Sequence, residues 1–128
     1  MTLTFESFQP GQSFGSIAYT LDRPVFYAWT ALYPHDPAVD SMPHGMTAPV
    51  FMRAYAELVQ PRPPGNVHGA QRFDVARLPR LGETLTTAIA CAGKELKGGR
   101  RWVTLEGVTT GEDGALAFTS RMTILWAA

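Results

Sequence analysis

Apolar residues recur at helical spacing in one stretch near the middle of the chain. The residues at i, i+3, i+4 and i+7 are Phe51, Ala54, Tyr55 and Leu58. Residues at this spacing share one face of a helix, so the pattern predicts an amphipathic helix with a wide apolar stripe. We expect the helix to begin at Thr47, whose side chain can cap the first turn, and to stop at Gln60, because Pro61 follows it.

A shorter helix is predicted upstream. Asp22 can cap its first turn, and Pro24 fits there because its missing N–H would have no intrahelical partner. The apolar face of this helix would consist of Val25, Phe26, Trp29 and Leu32. The helix should end before Pro34. Residues 33–43 are rich in proline and are therefore predicted to form a loop between the two helices, a common location for functional residues.

The remaining length is predicted to form strands. After a lead-in of residues 1–12, the expected strands cover residues 13–20, 66–75, 85–91, 102–110 and the segment from Leu116 onward. Glycine-containing turns separate the later strands. One face of the last strand would hold Leu116, Phe118, Met122, Ile124 and Trp126. One apolar helix beside an antiparallel meander predicts an α+β domain spanning residues 1–128, with the sheet wrapped around the helix.

The composition of the chain limits the kinds of partner and location that we expect. The chain has 128 residues, 45% of them hydrophobic, with 11 basic and 11 acidic side chains. A net charge of zero favours neither nucleic acid nor an acidic membrane surface as a partner, and no apolar run reaches the ~18 residues of a membrane span. Cys91 lies in an apolar strand pattern and has no second cysteine to pair with, so we expect a small core residue in a cytoplasmic protein.

Several segments, taken in order, resemble a known family. Residues 8–14 are similar to its lead-in, His44-Gly45-Met46 to the start of its central helix, and residues 79–85 to a turn that precedes a strand. On these residues the chain resembles the MaoC-like hydratases and dehydratases, which have a hotdog fold. The resemblance implies an acyl-CoA or acyl-carrier thioester as substrate and no metal or redox cofactor. It also implies a homodimer, or a heterodimer with another hotdog subunit.

The family's reaction is the reversible addition of water to a trans-2-enoyl thioester, which gives the (R)-3-hydroxy product. The resemblance implies that His44, Gly45 and Met46 bind the substrate. A free N–H group near Gly45, at the positive end of a helix, can polarise the thioester carbonyl. Acid–base groups must also deprotonate water at C3 and deliver a proton at C2.

The family carries those acid–base groups in a motif Asp-x-Asn-Pro-x-His. Aligning Asp36 with the motif's asparagine puts proline and valine at the catalytic positions, and aligning His35 with its histidine puts threonine at the aspartate position. Neither register completes the pair. The catalytic candidates are therefore His35, Asp36 and Asp40, with a reversed pair of His35 and Asp40 as a third arrangement.

Three interpretations remain open from the sequence. The chain is an active lyase that uses His35 with one of the two aspartates, or a non-catalytic subunit that shapes the acyl site of a catalytic partner. Alternatively it is a hotdog thioesterase, which would need a carboxylate near the start of the central helix, although Glu57 lies two turns or more away. A small basic cluster near a predicted hairpin has two interpretations: it binds the phosphates of CoA, or it is a solvated turn. Its residues are Lys94, Lys97, Arg100 and Arg101.

Overall fold

Strands dominate the structure, a computed structural model that describes residues 2–128. Met1, part of the predicted lead-in, lies outside the described residues. The strands are β1 (Ser13–Thr20), β2 (Val67–Val75), β3 (Thr84–Lys97), β4 (Arg100–Thr110) and β5 (Leu116–Leu125). The helices are α1 (Arg23–Leu32) and α2 (Thr47–Leu58), and single 3-10 turns lie at Phe5–Ser7 and His44–Met46.

The strands form one antiparallel sheet in the order β1-β3-β4-β5-β2. The strands β3, β4 and β5 are consecutive hairpins at its centre, and the first turn falls at Gly98-Gly99 as expected. The strands β1 and β2 form the two edges. This arrangement confirms the predicted α+β class, an antiparallel sheet around a central helix. No helix in residues 2–128 is long and apolar enough to cross a membrane.

Helix α2 packs on the inner face of the sheet. The buried part of its apolar stripe consists of Phe51, Ala54 and Tyr55. These residues share one core with inward-facing strand residues, among them Ile89, Leu105, Met122 and Ile124. At Gly107 of β4, a Cβ would stand 2.8 Å from the Phe51 ring. The missing side chain at Gly107 therefore allows α2 to lie this close to the sheet.

The ends of α2 differ from the expectation. Thr47 does not cap the helix, because the helical run already begins in the preceding 3-10 turn, and the Thr47 hydroxyl instead donates to the His44 carbonyl at 2.7 Å. The helix ends at Leu58 rather than at Gln60, since Val59 has already left the helical conformation. The approaching proline therefore ends the helix earlier than its position suggests.

Helix α1 begins as predicted, because the Asp22 carboxylate accepts a hydrogen bond from the Val25 N–H at 3.0 Å. Its apolar face is only partly buried, however: Phe26 is 2% exposed, but Leu32 is 75% exposed. Leu116 was expected in the core and is 43% exposed, because it begins β5 beside an irregularity in the β4–β5 register. The two exposed leucines lie at the ends of their elements, where the hydrophobic periodicity of the sequence does not determine which way a side chain points.

Candidate functional site

The start of α2 forms the first part of the site. The 3-10 turn runs directly into α2, so one helical run extends from His44 to Leu58. The first two N–H groups, those of His44 and Gly45, have no intrahelical acceptor, and residues 2–128 supply no other. Both residues are exposed. Free N–H donors at the positive end of a helical run can bind a carbonyl oxygen on which negative charge develops.

The Trp29 side chain of α1 covers Gly45. A Cβ at Gly45 would lie 2.7 Å from Trp29 Cη2, so a side chain there would collide with the indole ring. The Trp29 Nε1–H donates to the Asp36 carbonyl at 2.7 Å, and the ring stacks on Tyr33 with centroids 4.3 Å apart. The sequence placed Trp29 on the apolar face of α1. Its contact with Gly45 joins distant parts of the chain and has no local signal.

An apolar groove of about 380 Å³ adjoins this helix start, between α1 and the first turns of α2. Its walls include Val25, Ala28, Trp29 and Leu32 from α1, and Met46 and Val50 from the facing helical run. Trp29 thus contacts Gly45 and lines the groove at once. Leu32, which is exposed at the end of α1, lies at the edge of this groove. The volume is within the range of about 300–1,000 Å³ that is typical of small-ligand sites.

Residues 33–43 fold back over the end of α1 and are anchored at their middle and near their C-terminal end. The Ala38 N–H donates to Thr30 Oγ1 at 2.9 Å, and the Met42 N–H donates to the Pro79 carbonyl at 2.8 Å. The first bond ties the loop to α1, and the second ties it to the turn that precedes β3. The loop expected from its prolines is therefore a fixed strap.

The three catalytic candidates, His35, Asp36 and Asp40, all lie exposed on this strap. None of their side chains makes a hydrogen bond or ion pair with any other part of residues 2–128, so no acid–base pair is held together by direct contact. The main chain of two of them is used structurally: the Asp36 carbonyl accepts from Trp29, and the Asp40 carbonyl accepts from Leu81. Their catalytic role remains a prediction.

The substrate-binding candidates have different surroundings. Gly45 is exposed at the helix start beneath Trp29, and the next residue, Met46, is 3% exposed and forms part of the groove wall. The His44 side chain is exposed, while its carbonyl accepts from Thr47. Gly45 and Met46 therefore join the helix start to the groove, and the His44 side chain projects from the same turn without a hydrogen-bond partner among residues 2–128.

The predicted basic cluster is divided by the fold. The Lys94 ammonium donates to the Phe5 carbonyl at 2.9 Å, and the Arg101 guanidinium donates to the Ala127 carbonyl at 2.9 Å. These two charges hold the N-terminal and C-terminal segments against the sheet. Lys97 remains exposed beside the β3–β4 turn.

Cys91 is 1% exposed in the core, and burial raises the pKa of its thiol. This is the structural role expected from the sequence, because a buried neutral thiol is a poor nucleophile. Among residues 2–128, no three His, Cys, Asp or Glu side chains lie close enough together to hold a metal ion.

The turn that supports the strap contains a strong ion pair. Glu83 accepts two hydrogen bonds from the Arg77 guanidinium, at 3.1 and 2.6 Å, and a third from the Arg80 N–H at 3.2 Å. The hydrogen bonds from Arg77 hold the pKa of the Glu83 carboxyl below its ordinary value. Gly111 lies directly against the pair and leaves room for it.

Neither a protein-family model nor a curated protein sequence matches the chain. Solved structures do match it, over nearly its whole length. It is similar to a MaoC-like dehydratase from Rhodospirillum rubrum, with a TM-score of 0.82, 16% identity and 98% of each chain covered. It is also similar to the R-hydratase PhaJ1 from Pseudomonas aeruginosa, with a TM-score of 0.74, 15% identity, and 98% of this chain and 86% of the other covered.

A third similar structure is the HadBC (3R-hydroxyacyl-ACP dehydratase) complex from Mycobacterium tuberculosis, with a TM-score of 0.72, 14% identity, and 91% of this chain and 96% of the other covered. The TM-scores establish a shared architecture, while identities of this size leave the reaction to be argued from the site. The chain has the hotdog fold of the MaoC-like dehydratases and R-hydratases.

Proposed function

We propose that this protein is a MaoC-like hydratase or dehydratase that binds an acyl thioester at the start of α2 and adds water reversibly to its trans-2-enoyl form. One observation carries the proposal: the free N–H groups of His44 and Gly45 lie beside an apolar groove, and Trp29 borders both. A thioester needs these two surroundings together, since its carbonyl is polar and its acyl chain is apolar.

The carbonyl is assigned to the helix start. Addition of water at C3 of an enoyl thioester builds up negative charge on the carbonyl oxygen, and two unpaired N–H donors at a positive helix end stabilise that charge. Gly45 matters because a side chain there would displace Trp29 from the mouth of this site. The acyl chain then lies along the groove between α1 and α2, against Trp29 and Met46.

The acid–base work is assigned to the strap. His35 is the principal candidate, because a histidine can accept a proton from water and return one near neutral pH. Asp36 and Asp40 are the candidate carboxylate partners. Their exposed positions on the strap leave them accessible to a bound substrate. The R-hydratase and dehydratases among the similar structures are consistent with this reaction.

The test is hydration of crotonyl-CoA and of a longer enoyl-CoA, followed by loss of the absorbance of the conjugated thioester. We expect His35→Ala to lower kcat by about 10²–10⁴-fold, the usual contribution of a general acid–base group. His68→Ala is the matched control, since His68 is also an exposed histidine but lies on β2. Unchanged activity in His35→Ala would show that His35 of the strap is not the acid–base group.

A second candidate function is a non-catalytic subunit that shapes the acyl site of another hotdog chain. It is favoured by the absence of a contact that holds His35 to Asp36 or Asp40 within residues 2–128, and HadBC is a complex. This interpretation predicts that the pure chain binds acyl-CoA without hydrating it. Sedimentation analysis would distinguish a self-sufficient homodimer from a chain that needs a different partner. In either case we propose that the protein is cytoplasmic.

A thioesterase is less well supported. Glu57 lies at the far end of α2 from Gly45 and pairs with Arg53 at 3.8 Å. A carboxylate in that position is far from a carbonyl bound at the helix start. Hydrolysis of a saturated acyl-CoA without hydration of the enoyl form would favour this alternative.

A further inference from the structure

The outer face of the sheet, opposite α2, holds a second cavity of about 500 Å³. Val103 and Leu105 of β4 point inward to the core, so Trp102 and Thr104, which alternate with them, lie on the outer face. Trp102 forms one wall of the cavity. The site proposed for the thioester lies on the other side of the sheet, so this cavity is a separate feature.

Two strand irregularities and a close contact shape the cavity. The register of β2 shifts between His68 and Ala70, and that of β3 shifts between Cys91 and Gly93. Such bulges bend a strand. At the β2 bulge, a Cβ on Gly69 would lie 2.8 Å from the Trp102 ring. The indole therefore reaches from β4 across β5 to β2, and the missing side chain at Gly69 lets it lie there.

Gly93 forms an open part of the cavity wall. It lines the cavity, its backbone is not in the left-handed region, and a Cβ on it would meet no heavy atom within 4 Å. Packing within residues 2–128 therefore does not require glycine here, although Gly93 lies at the β3 bulge. Glycine in a strand often marks a bulge or a place where a ligand or another backbone approaches closely, and the open space at Gly93 leaves room for a ligand.

The lining of the cavity includes cationic side chains that can donate hydrogen bonds to an anion. Lys97 makes no ion pair within residues 2–128, and Arg121 has one guanidinium nitrogen on Glu106 at 2.8 Å. Lys94 also lines the cavity, although its ammonium is bonded to the Phe5 carbonyl. The acidic residue on the lining is Glu95. The donors that remain for an anion are the Lys97 ammonium and the guanidinium N–H groups of Arg121 that do not contact Glu106.

We propose that this outer-face cavity binds a nucleotide, with its purine ring against Trp102 above the open floor at Gly93 and its phosphate at Lys97 and Arg121. An aromatic side chain provides a stacking surface for any base, and Lys and Arg bind phosphate through charge-assisted hydrogen bonds. The same chemistry is present in a free nucleotide and in the nucleotide end of CoA.

Calorimetric titration of the full chain with AMP, adenosine, inorganic phosphate and CoA tests the proposal. A Cβ at Gly93 meets no heavy atom within 4 Å, and Gly93→Leu places a bulky side chain in the cavity, so we expect it to weaken AMP binding at least about tenfold, the scale of losing one stacked base. Ala88→Leu is the matched control, because Ala88 is exposed on the outer face of the same strand away from the cavity. Lys97→Ala should weaken AMP about tenfold and leave adenosine unchanged.

The titrations distinguish a free nucleotide from the nucleotide end of CoA. CoA binding that Gly93→Leu abolishes would assign the site to the nucleotide end of CoA, and AMP binding without CoA binding would assign it to a free nucleotide; either supports the proposal. The proposal is overturned if AMP does not bind at millimolar concentration and Gly93→Leu leaves any CoA binding unchanged, or if Gly93→Leu binds AMP like the wild type. A change of oligomeric state in Gly93→Leu without nucleotide binding would also overturn it, since the outer face would then contact a second copy.

Discussion

At the scale of single residues, the chain contains two strand glycines with opposite surroundings. At Gly107 a Cβ would stand 2.8 Å from the Phe51 ring, whereas at Gly93 it would meet nothing within 4 Å. Neither has a left-handed backbone. Replacing each glycine by alanine therefore separates the effect of side-chain packing on stability from the effect of backbone conformation.

We expect Gly107→Ala to lower the free energy of unfolding by about 1–3 kcal/mol, the usual penalty for overpacking a core. The Phe51 ring must move, and the closed core leaves it little room to do so. Urea unfolding monitored by circular dichroism measures the change.

The control is Gly93→Ala, which should leave the stability unchanged or raise it by up to about 1 kcal/mol, since alanine lowers the entropy of the unfolded chain. Equal losses in the two variants would mean that the backbone, and not the contact with Phe51, requires glycine in these strands.

At the scale of elements, the strap of residues 33–43 is held to α1 by two side chains, Thr30 and Trp29. The Thr30 hydroxyl accepts a hydrogen bond from the Ala38 N–H at 2.9 Å and lies 3.4 Å from the Ala38 carbonyl, to which it donates. Ala38 is 8% exposed, so water does not readily replace the hydroxyl. The strap that carries His35 is thus fixed to α1 through this one residue and through Trp29.

We expect Thr30→Val to lower the free energy of unfolding by about 1–3 kcal/mol, because valine keeps the shape but leaves a buried N–H without an acceptor. Hydrogen exchange should accelerate at Ala38 more than in the sheet. Thr86→Val is the control, since Thr86 is exposed on β3, and its effect should stay within about 0.5 kcal/mol. Unaltered exchange at Ala38 would show that Trp29 alone holds the strap.

The elements also show where sequence patterns succeed and fail. The stripe on α2 and the Asp22 cap of α1 were predicted correctly, because each depends on residues a few positions apart. Thr47 was misjudged because a 3-10 turn before it extends the helical run. The cover of Gly45 by Trp29 was missed altogether, since it depends on how α1 packs against α2.

At the scale of the whole molecule, the sheet separates two regions with different chemistry. The inner face carries α2, the core and the groove proposed for the acyl chain, whereas the outer face carries the cavity beside Trp102. Alternate residues of the same strands point to these two opposite faces of the sheet. The fold class followed from that alternation, but the strand order and the bulges that open the outer cavity follow from long-range pairing and carry no comparable sequence signal.

One end of the sheet is held by the Arg77–Glu83 pair. Arg77 follows β2 and Glu83 precedes β3, so the pair joins connections from both parts of the sheet. The β4–β5 loop is drawn in as well, because the Glu112 carboxylate accepts from the Thr84 N–H at 2.9 Å. Asp113 lies 4.0 Å from the Arg77 guanidinium.

This arrangement predicts how stability depends on pH. Hydrogen bonds from Arg77 lower the pKa of Glu83 in the folded protein, so the folded state favours the ionised carboxylate. Its contribution is fully present above the unfolded-state pKa of about 4.3 and is lost as the pH falls through the lower, folded pKa. Glu83→Gln should therefore lower the free energy of unfolding by about 1 kcal/mol at pH 7, a modest value because the pair is partly exposed.

The difference between wild type and Glu83→Gln should shrink as the pH falls below about 4, because the carboxyl of the unfolded wild type is then protonated, which favours unfolding, and the folded carboxyl follows at still lower pH. Urea unfolding at a series of pH values measures it. Asp74→Asn is the matched control: Asp74 pairs with Arg72, but both side chains are more than half exposed, so its removal should change stability little at any pH. A difference for Glu83→Gln that stays constant down to pH 3 would mean that shape, and not charge, makes Glu83 important at this end of the sheet.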